Sequence, residues 1–454
     1  MEPSRIAALA LGLALGCGAK SGLEVEASRT AGPDAGPEDL GPDLTSCVVV
    51  GPETCDGVDE DCDGRVDEAL PLRPVGESVV FRDTDDGETG DCTTCAWVRD
   101  FVVQSAGGGM LAFWHLGFDG SDPRPNSYLR QLDGSGRPRG PIRRLDELAN
   151  GSWTTASPHP DGVLVSYCGR VERGDDVTFR TLLSPGGEPL WEVRASPRDR
   201  SCGAWRPVSV AAGRSRIVTA WTDNSGGPVP GSEVLVDVAG GDGESRDWAE
   251  VLPEGDGKPG LAVGAERVVH VQATRETPRV SSLVIQAYEP DGSVRPEERS
   301  LISAIAPESF YGEPWVFPTP SGFIVHMKEQ AREPGGRIVL ELDARGALVA
   351  GPRREDPGLQ LVNAVDHAIA FEGTFLLASA VRSPDGEFGY RILVTDERGA
   401  SLDRWDPRDY DDAFGTGHFV AHRGQLFLAY RRGVESADGR SLTQLRLWPL
   451  SCEP

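Results

Sequence analysis

The chain has 454 residues and a formal net charge of −26, with 71 acidic side chains against 45 Lys and Arg. Proteins that bind nucleic acid neutralise phosphates with Lys and Arg, so this charge argues against a nucleic-acid partner. The 56 glycines, the 35 prolines and the lack of helix-forming stretches after residue 16 favour an all-β fold with one large domain.

Residues 1–16 are typical of an export signal. Arg5 precedes an apolar run at residues 6–15 that is too short to span a membrane. The sequence ALGC at residues 14–17 resembles the lipobox of bacterial lipoproteins, in which cleavage before the cysteine leaves it N-terminal and lipidated. This resemblance implies lipidation of Cys17 and a membrane partner. In such lipoproteins an aspartate after the cysteine favours retention in the inner membrane, and Gly18 stands there instead, so we expect the outer membrane or the cell surface. A plain secretory signal is the alternative.

A tether and a set of cysteines follow the signal. Residues 17–46 are rich in Gly, Pro, Ala and acidic side chains and contain few large apolar ones, so we expect a disordered tether. Eight cysteines follow Cys17, and an even number in an exported chain favours disulfides over reactive thiols. The disulfide candidates are Cys55, Cys62, Cys168 and Cys202.

The strongest indication of a ligand site is an acidic stretch at residues 53–68, ETCDGVDEDCDGRVDE. It belongs to a small module that we place at residues 47–70. Its alternating carboxylates precede a sharp turn at Gly64, so their oxygens can converge on one hard cation, and calcium prefers such ligands. The candidate metal ligands are Asp59, Asp61, Asp63, the carbonyl of Arg65, Asp67 and Glu68.

The same stretch resembles known calcium loops and one bacterial motif. The spacing D-x-D-x-D-G-x-x-D is similar to the calcium loops of dockerin and thrombospondin type 3 repeats. The whole stretch matches every position of the MopE-type metal-binding motif, although that covers sixteen of 454 residues. The alternative is an acidic turn clipped by a disulfide between Cys55 and Cys62, with no metal bound.

From residue 97 onward the sequence repeats. Seven apolar segments end at residues 114, 167, 221, 272, 327, 379 and 430, so they are 51–55 residues apart. Turn sequences with Asp or Pro and Gly follow at residues 132–136, 183–187, 288–292, 342–346 and 395–399, and each predicts a hairpin. With an extended segment before each apolar strand and another after each turn, one unit has four strands. The pattern predicts a seven-bladed β-propeller at residues 71–454.

The last unit is one strand short. Because an unpaired edge strand promotes aggregation, we expect another segment to complete that sheet. Residues 74–81 have strand character and precede the first unit, so we predict that they form the outer strand of blade 7 and close the ring. Cys452 would then lie near the acidic module.

Aromatic residues recur at one phase of the repeat, near the start of the first strand. They are Trp97, Trp153, Trp205 and Trp315, with His418 near the same phase. At the rim of a central channel they would form a ring of aromatic groups for a sugar or a peptide, whereas the alternative is that they pack between blades.

Two functions fit this sequence, because propellers serve for both binding and catalysis. The favoured hypothesis is a non-enzymatic, monomeric surface binding or scaffolding protein with an unknown protein or carbohydrate ligand and calcium at the junction with the tether. The alternative is an extracytoplasmic enzyme, such as a carbohydrate-active hydrolase or lyase, with its site in the channel mouth. The sequence assigns no catalytic residue, and convergent carboxylates or histidines in the channel would favour the enzyme.

Overall fold

Each of the seven sequence units forms one antiparallel sheet, and the sheets are the blades of a seven-bladed β-propeller. The computed structural model describes residues 72–83, 97–117, 127–145, 151–170, 176–195, 207–223, 233–252, 259–277, 280–289, 300–303, 310–311, 314–330, 336–355, 360–361, 367–371, 373–382, 388–412, 414–435 and 441–452. The predicted signal, tether and acidic module, residues 1–16, 17–46 and 47–70, lie outside these ranges.

Two short strands precede the first blade, and four strands form each of blades 1–4. The first two are β1 (Leu72–Pro74) and β2 (Val79–Arg82). Blade 1 contains β3 (Trp97–Ala106), β4 (Gly109–Gly117), β5 (Ser127–Asp133) and β6 (Pro138–Arg144). Blade 2 contains β7 (Gly151–His159), β8 (Gly162–Arg170), β9 (Asp176–Leu183) and β10 (Arg194–Ala195). Blade 3 contains β11 (Val208–Ala212), β12 (Arg216–Asp223), β13 (Glu233–Gly240) and β14 (Ser245–Leu252). Blade 4 contains β15 (Gly260–Val263), β16 (Val268–Thr277), β17 (Val280–Tyr288) and β18 (Ser300–Ser303).

The innermost strands of blades 5 and 6 are each interrupted, and blade 7 combines strands from both ends of the chain. Blade 5 contains β19 (Phe310–Tyr311), β20 (Trp315–Thr319), β21 (Gly322–Gln330), β22 (Arg337–Asp343) and β23 (Leu348–Glu355). Blade 6 contains β24 (Gln360–Leu361), β25 (His367–Phe371), β26 (Thr374–Arg382), β27 (Phe388–Thr395) and β28 (Ser401–Trp405), followed by a 3₁₀ helix (Pro407–Asp409). Blade 7 contains β29 (Phe414–His422), β30 (Gln425–Glu435) and β31 (Ser441–Cys452), with β1 and β2 paired to β31.

The repeated apolar segments are the second strands of the seven blades, which confirms the four-stranded unit predicted from the sequence. These strands are apolar on both faces because each blade is covered by a neighbour on either side. In β4, for example, Met110 and Trp114 lie in the cluster between blades 7 and 1, whereas Leu111 and Phe113 lie in the cluster between blades 1 and 2.

The core of the described chain consists of seven apolar clusters, one at each junction between neighbouring blades. Burial of apolar surface at these junctions is the main favourable contribution to stability, so each blade is stabilised by its two neighbours in the ring. The cluster between blades 2 and 3 is small, with Leu164, Leu182, Ile217 and Ala239 as its fully buried members.

Aspartates organise the turns between the third and fourth strands of blades 1, 5 and 6. The Oδ1 atoms of Asp133, Asp343 and Asp396 each accept hydrogen bonds from the backbone N–H groups two and four residues later. A glycine with positive φ, such as Gly136 at 84°, completes the turn. The hairpins predicted at residues 132–136, 183–187, 342–346 and 395–399 are present, whereas residues 290–292 of the fifth lie outside the described ranges.

The ring is closed as predicted, by a segment that precedes blade 1. In β1, Leu72, Arg73 and Pro74 pair with Cys452, Ser451 and Leu450 of β31, and β2 pairs with the same strand further along. The closing segment is two strands instead of one because the chain turns at Gly76, where φ is +65°. The Trp448 Nε1–H donates to the Gly76 carbonyl over 3.1 Å and holds this turn against blade 7.

The outer strand of blade 2 is shorter than predicted. The sequence predicts a strand over residues 189–195, but the regular strand is limited to Arg194–Ala195, with one isolated bridge between Leu183 and Pro189. Within the described ranges, no helix is long and apolar enough to cross a membrane.

Candidate functional site

The first strands of the seven blades form a closed ring around a central cavity. β3, β7, β11, β15, β20, β25 and β29 each contact the first strand of the next blade, and β29 contacts β3 to complete the circle. The cavity has a volume of about 190 Å³, and every blade contributes to its wall. A propeller channel is a common place for a ligand, so this cavity is the candidate functional site.

An arc of four rings covers one side of the cavity, across blades 1, 7, 6 and 5. The Phe101 ring centroid lies 4.6 Å from that of His418, which lies 5.0 Å from that of His367. The His367 ring in turn meets Trp315 at 5.5 Å in an edge-on arrangement. All four side chains line the cavity, so it offers a continuous aromatic surface.

The two histidines of the arc also hold neighbouring blades together. The His418 Nε2 atom accepts a hydrogen bond from the backbone N–H of Val103 over 2.7 Å, and His367 Nδ1 accepts from the N–H of Phe419 over 3.1 Å. Each bond joins the first strand of one blade to that of the next. One ring nitrogen of each histidine is therefore engaged as an acceptor and cannot serve as a general base.

Hydroxyl groups from blades 2 and 3 line another part of the wall. Thr154 Oγ1 is hydrogen-bonded to His115 Nε2, and Thr155 Oγ1 donates to the Pro207 carbonyl over 2.6 Å. Ser209 Oγ lies 2.5 Å from Ser166 Oγ and 2.8 Å from the Thr219 hydroxyl.

Ser157 is the exception on this part of the wall. Its hydroxyl oxygen is buried and has no hydrogen-bond partner within the described part of the chain. A buried hydroxyl without a hydrogen-bond partner carries a desolvation penalty.

The wall carries no formal charge among its described residues, since none of them is Asp, Glu, Lys or Arg. Asp100 is buried beside the wall, where its Oδ2 accepts from the backbone N–H of Thr154 over 2.8 Å. No group of three or more His, Cys, Asp or Glu side chains within the described ranges is arranged to hold a metal ion.

The structure places two of the five predicted rim residues at the cavity, namely Trp315 and His418. Trp315 also packs against the cluster between blades 5 and 6, so it fits both interpretations of the tryptophan repeat. Trp97 begins β3 and Trp153 lies in β7, but their side chains are outside the described set, as is the whole of Trp205.

The predicted metal and lipid sites lie outside the described residues. This applies to Asp59, Asp61, Asp63, Arg65, Asp67 and Glu68, to Cys17, and to the disulfide candidates Cys55, Cys62 and Cys202. Cys168 is buried in β8 and is disulfide-bonded. Its partner cysteine lies outside the described side chains.

Sequence reasoning missed several cavity residues, including Phe101, Ser157, Phe317 and His367. The first strands mix small, hydroxyl and apolar residues without alternation, as β7 does, so the pattern that separates inside from outside in a half-exposed strand is absent here. Aligning the repeats on Trp315 was the way to predict cavity residues from the sequence, and it would have found His367.

Comparisons with known proteins give remote matches. No protein-family model matches the chain, and no curated protein matches it. Among solved structures it is similar to a subtype N11 neuraminidase-like protein of A/flat-faced bat/Peru/033/2010, with a TM-score of 0.43 and 11% identity over 84% of this chain and 95% of that one. It is also similar to an Aleuria aurantia lectin variant in complex with α-methyl-L-fucoside, with a TM-score of 0.38 and 9% identity over 68% and 96% of the two chains. A thermostable family-43 glycoside hydrolase gives a TM-score of 0.32 and 12% identity over 59% and 98%. Scores of this size carry no conclusion about a ligand or an activity.

Proposed function

We propose that this protein is a non-enzymatic surface binding protein whose central cavity takes one apolar, ring-sized side chain of a partner protein or peptide. The observation that carries the proposal is the arc of Phe101, His418, His367 and Trp315 along an uncharged wall. A dry cavity of about 150 Å³ is enough to bind benzene, so the volume of about 190 Å³ suits one aromatic or aliphatic side chain.

The polar groups of the wall favour a side chain over a sugar ring. A sugar requires hydrogen-bond partners for several hydroxyls, whereas Thr155, Ser209 and His418 already bond to protein groups. The enzyme alternative requires an acid, a base or a nucleophile presented to the cavity. The described wall offers no carboxylate, and each of its two histidines uses a ring nitrogen to hold the next blade.

Isothermal titration calorimetry with short blocked peptides tests this function. We expect acetyl-Phe-Gly-Gly-amide and its Leu counterpart to bind, and the Asp counterpart to bind much more weakly because the cavity is apolar and uncharged. Ala156→Phe should fill the cavity and abolish binding, and Trp315→Ala should weaken it by removing one ring of the arc. Ala347→Phe, at an exposed turn of blade 5, is the matched control.

Two outcomes would refute the function. Equal binding of the Phe and Asp peptides would show that the apolar wall does not select the ligand. Unchanged binding by both Ala156→Phe and Trp315→Ala would show that the peptide binds elsewhere.

We further propose that Cys17 carries a lipid anchor at the outer membrane or cell surface, and that the acidic module binds calcium at its junction with the propeller. The first rests on the sequence at residues 14–17 and the second on the motif at residues 53–68. β1 begins two residues after the module ends, so the module is next to the closing strands in the sequence. A metal there would stiffen the entry to the closing strands.

A further inference from the structure

A second cleft lies where the ring closes, between blades 6 and 7. Its wall is formed by the turn at residues 76–78, by residues 408–412 at the 3₁₀ helix, and by side chains of β30 and β31. We call it the closure cleft. Its volume is about 580 Å³, about three times that of the channel cavity, and is large enough for a saccharide unit.

A hydrogen-bond relay forms one wall of the closure cleft. Arg446 Nη1 donates to Ser78 Oγ over 2.9 Å, and Ser78 Oγ lies 3.1 Å from the Tyr430 hydroxyl. The Tyr430 hydroxyl donates to Asp411 Oδ2 over 2.9 Å, and Asp411 also accepts from Arg432 Nε. Burial raises the pKa of Tyr430 to about 12, so its proton remains in place for the relay. The relay fixes these five side chains relative to one another across four chain segments.

Unlike Arg432, Arg446 has no carboxylate partner within the described part of the chain. Its two hydrogen bonds go to neutral oxygens, Ser78 Oγ and Gln444 Oε1. Three lining carboxylates, those of Glu77, Asp409 and Asp412, are exposed and take part in no hydrogen bond or ion pair among the described residues. The cleft therefore combines a guanidinium donor with several separate carboxylate acceptors.

Tyr410 supplies an exposed aromatic face beside these groups. Its side chain is 40% exposed, and its ring is held edge-on against Trp405 at 5.7 Å and against Trp448 at 6.0 Å. The two nearly perpendicular ring contacts hold the Tyr410 ring in place, and its exposed part is available for contact with a ligand.

The arrangement of charges narrows the class of ligand. An anion would be repelled by the exposed carboxylates and by the net charge of −26. A cationic group such as an ammonium has no acceptor for the Arg446 guanidinium, which donates only to neutral oxygens among the described residues. A neutral polyhydroxyl ring satisfies both sets of groups, because its hydroxyls accept from a guanidinium and donate to carboxylates. The carboxylates are also not arranged as a metal site, since no such cluster occurs in the described ranges.

We propose that the closure cleft binds a neutral saccharide, with its ring stacked on Tyr410 and its hydroxyls bonded to Arg446 and to the rim carboxylates. This site is separate from the channel cavity and shares no lining residue with it. A saccharide bound there would contact both the closing turn and β31.

Saturation-transfer NMR on the full chain tests the proposal, with the methyl glycosides of glucose, galactose, mannose and N-acetylglucosamine as probes. At least one of these glycosides should receive saturation from the protein. Its signal should be stronger than that of the anionic sugar glucuronate or of the cationic sugar glucosamine. Arg446→Gln should weaken binding about tenfold, since it removes a charged hydrogen-bond donor. Tyr410→Ala should also weaken it, and because Tyr410 is exposed that variant should keep its fold. Arg345→Gln, at an exposed turn of blade 5, is the matched control for the lost charge.

The results separate this site from the channel. Trp315→Ala should leave glycoside binding unchanged, because Trp315 lies in the channel cavity. The proposal is overturned if none of the four glycosides receives saturation, if the charged sugars bind best, or if Arg446→Gln and Tyr410→Ala both bind like the control.

Discussion

Leu72 and Phe81 of the two closing strands are buried on opposite sides of blade 7. Leu72 lies in the cluster between blades 6 and 7, and Phe81 is fully buried in the cluster between blades 7 and 1. The closing segment therefore completes two blade junctions as well as covering the edge of β31.

Phe81 should be one of the most sensitive positions of the chain. We expect Phe81→Ala to lower the free energy of unfolding by about 3–5 kcal/mol, because it leaves a cavity between blades 7 and 1. Val79→Ala on the same strand, where the side chain is half-buried, should cost less than half as much. Urea denaturation of both variants measures the difference, and equal losses would contradict a specific role for Phe81.

The ion pair between Arg180 and Asp237 is buried at the junction of blades 2 and 3. Its side chains are 3% and 0% exposed, and Arg180 Nε also donates to the Gly243 carbonyl over 2.9 Å. Asp237→Ala should cost about 3–5 kcal/mol in unfolding free energy, because it leaves a buried guanidinium without its counter-ion. The double variant Arg180→Met with Asp237→Leu should recover most of that loss. Calorimetric unfolding that finds the double variant no better than Asp237→Ala would contradict this account.

Buried histidines should make the protein sensitive to acid. Burial lowers the pKa of His270 to about 3, and burial together with Arg337 and Arg353 lowers the pKa of His326 well below its usual value. The folded state thus binds fewer protons than the unfolded chain, where a histidine pKa is about 6.5. The stabilising contribution is complete above that pH and is lost as the pH falls towards the folded-state pKa.

His270→Gln should remove one of these titrations. Between pH 6.5 and pH 5.0, the original chain should lose about 1.6 kcal/mol more unfolding free energy than the variant does, because the unfolded-state histidine is already half protonated at pH 6.5. Denaturant titrations of both proteins at pH 7.5, 6.5 and 5.0 measure the change, and groups that titrate in both proteins cancel. A constant difference across the three pH values would show that His270 is not the titrating group.

Calcium binding should depend on the aspartates of residues 53–68. We expect isothermal titration calorimetry to detect calcium binding to the original chain and none to the double variant Asp61→Ala with Asp63→Ala, since two of the six proposed ligands are lost. Absence of binding heat in both proteins would leave the disulfide-clipped turn as the remaining interpretation.

Lipidation should depend on Cys17. Radiolabelled palmitate should be incorporated into the original chain in cells and should be absent from Cys17→Ser, because the cysteine carries the lipid. Label retained after the substitution would contradict the lipoprotein prediction and favour the plain secretory signal.

The repeat and its closure could be predicted because each leaves a local signal. The apolar second strands recur at a nearly constant interval, and Asp133, Asp343 and Asp396 mark hairpins whose geometry they then organise. The corresponding turn of blade 3, at residues 240–244, was missed because glycine replaces the initial aspartate and the turn is held by backbone hydrogen bonds.

The two clefts could be predicted only in part. Trp315 and His418 stand out because they share a phase of the repeat. His367 lies at the same phase, paired with Ala378 as Trp315 is with His326, and was overlooked, whereas Ser157 lies at another phase. No motif or repeat in the sequence indicates the closure cleft. It joins Ser78 to Tyr430 and Arg446, more than 350 residues later, and that contact exists only once the ring has closed.

The pairing of β1 and β2 with β31 also fixes the order in which the fold can be completed. The closing strands are synthesised before blade 1, whereas their partner, Ser441–Cys452, follows all the other described strands. Phe81 therefore has no complete site to pack into until that last strand has been made. A chain that is still emerging from the ribosome cannot close its ring.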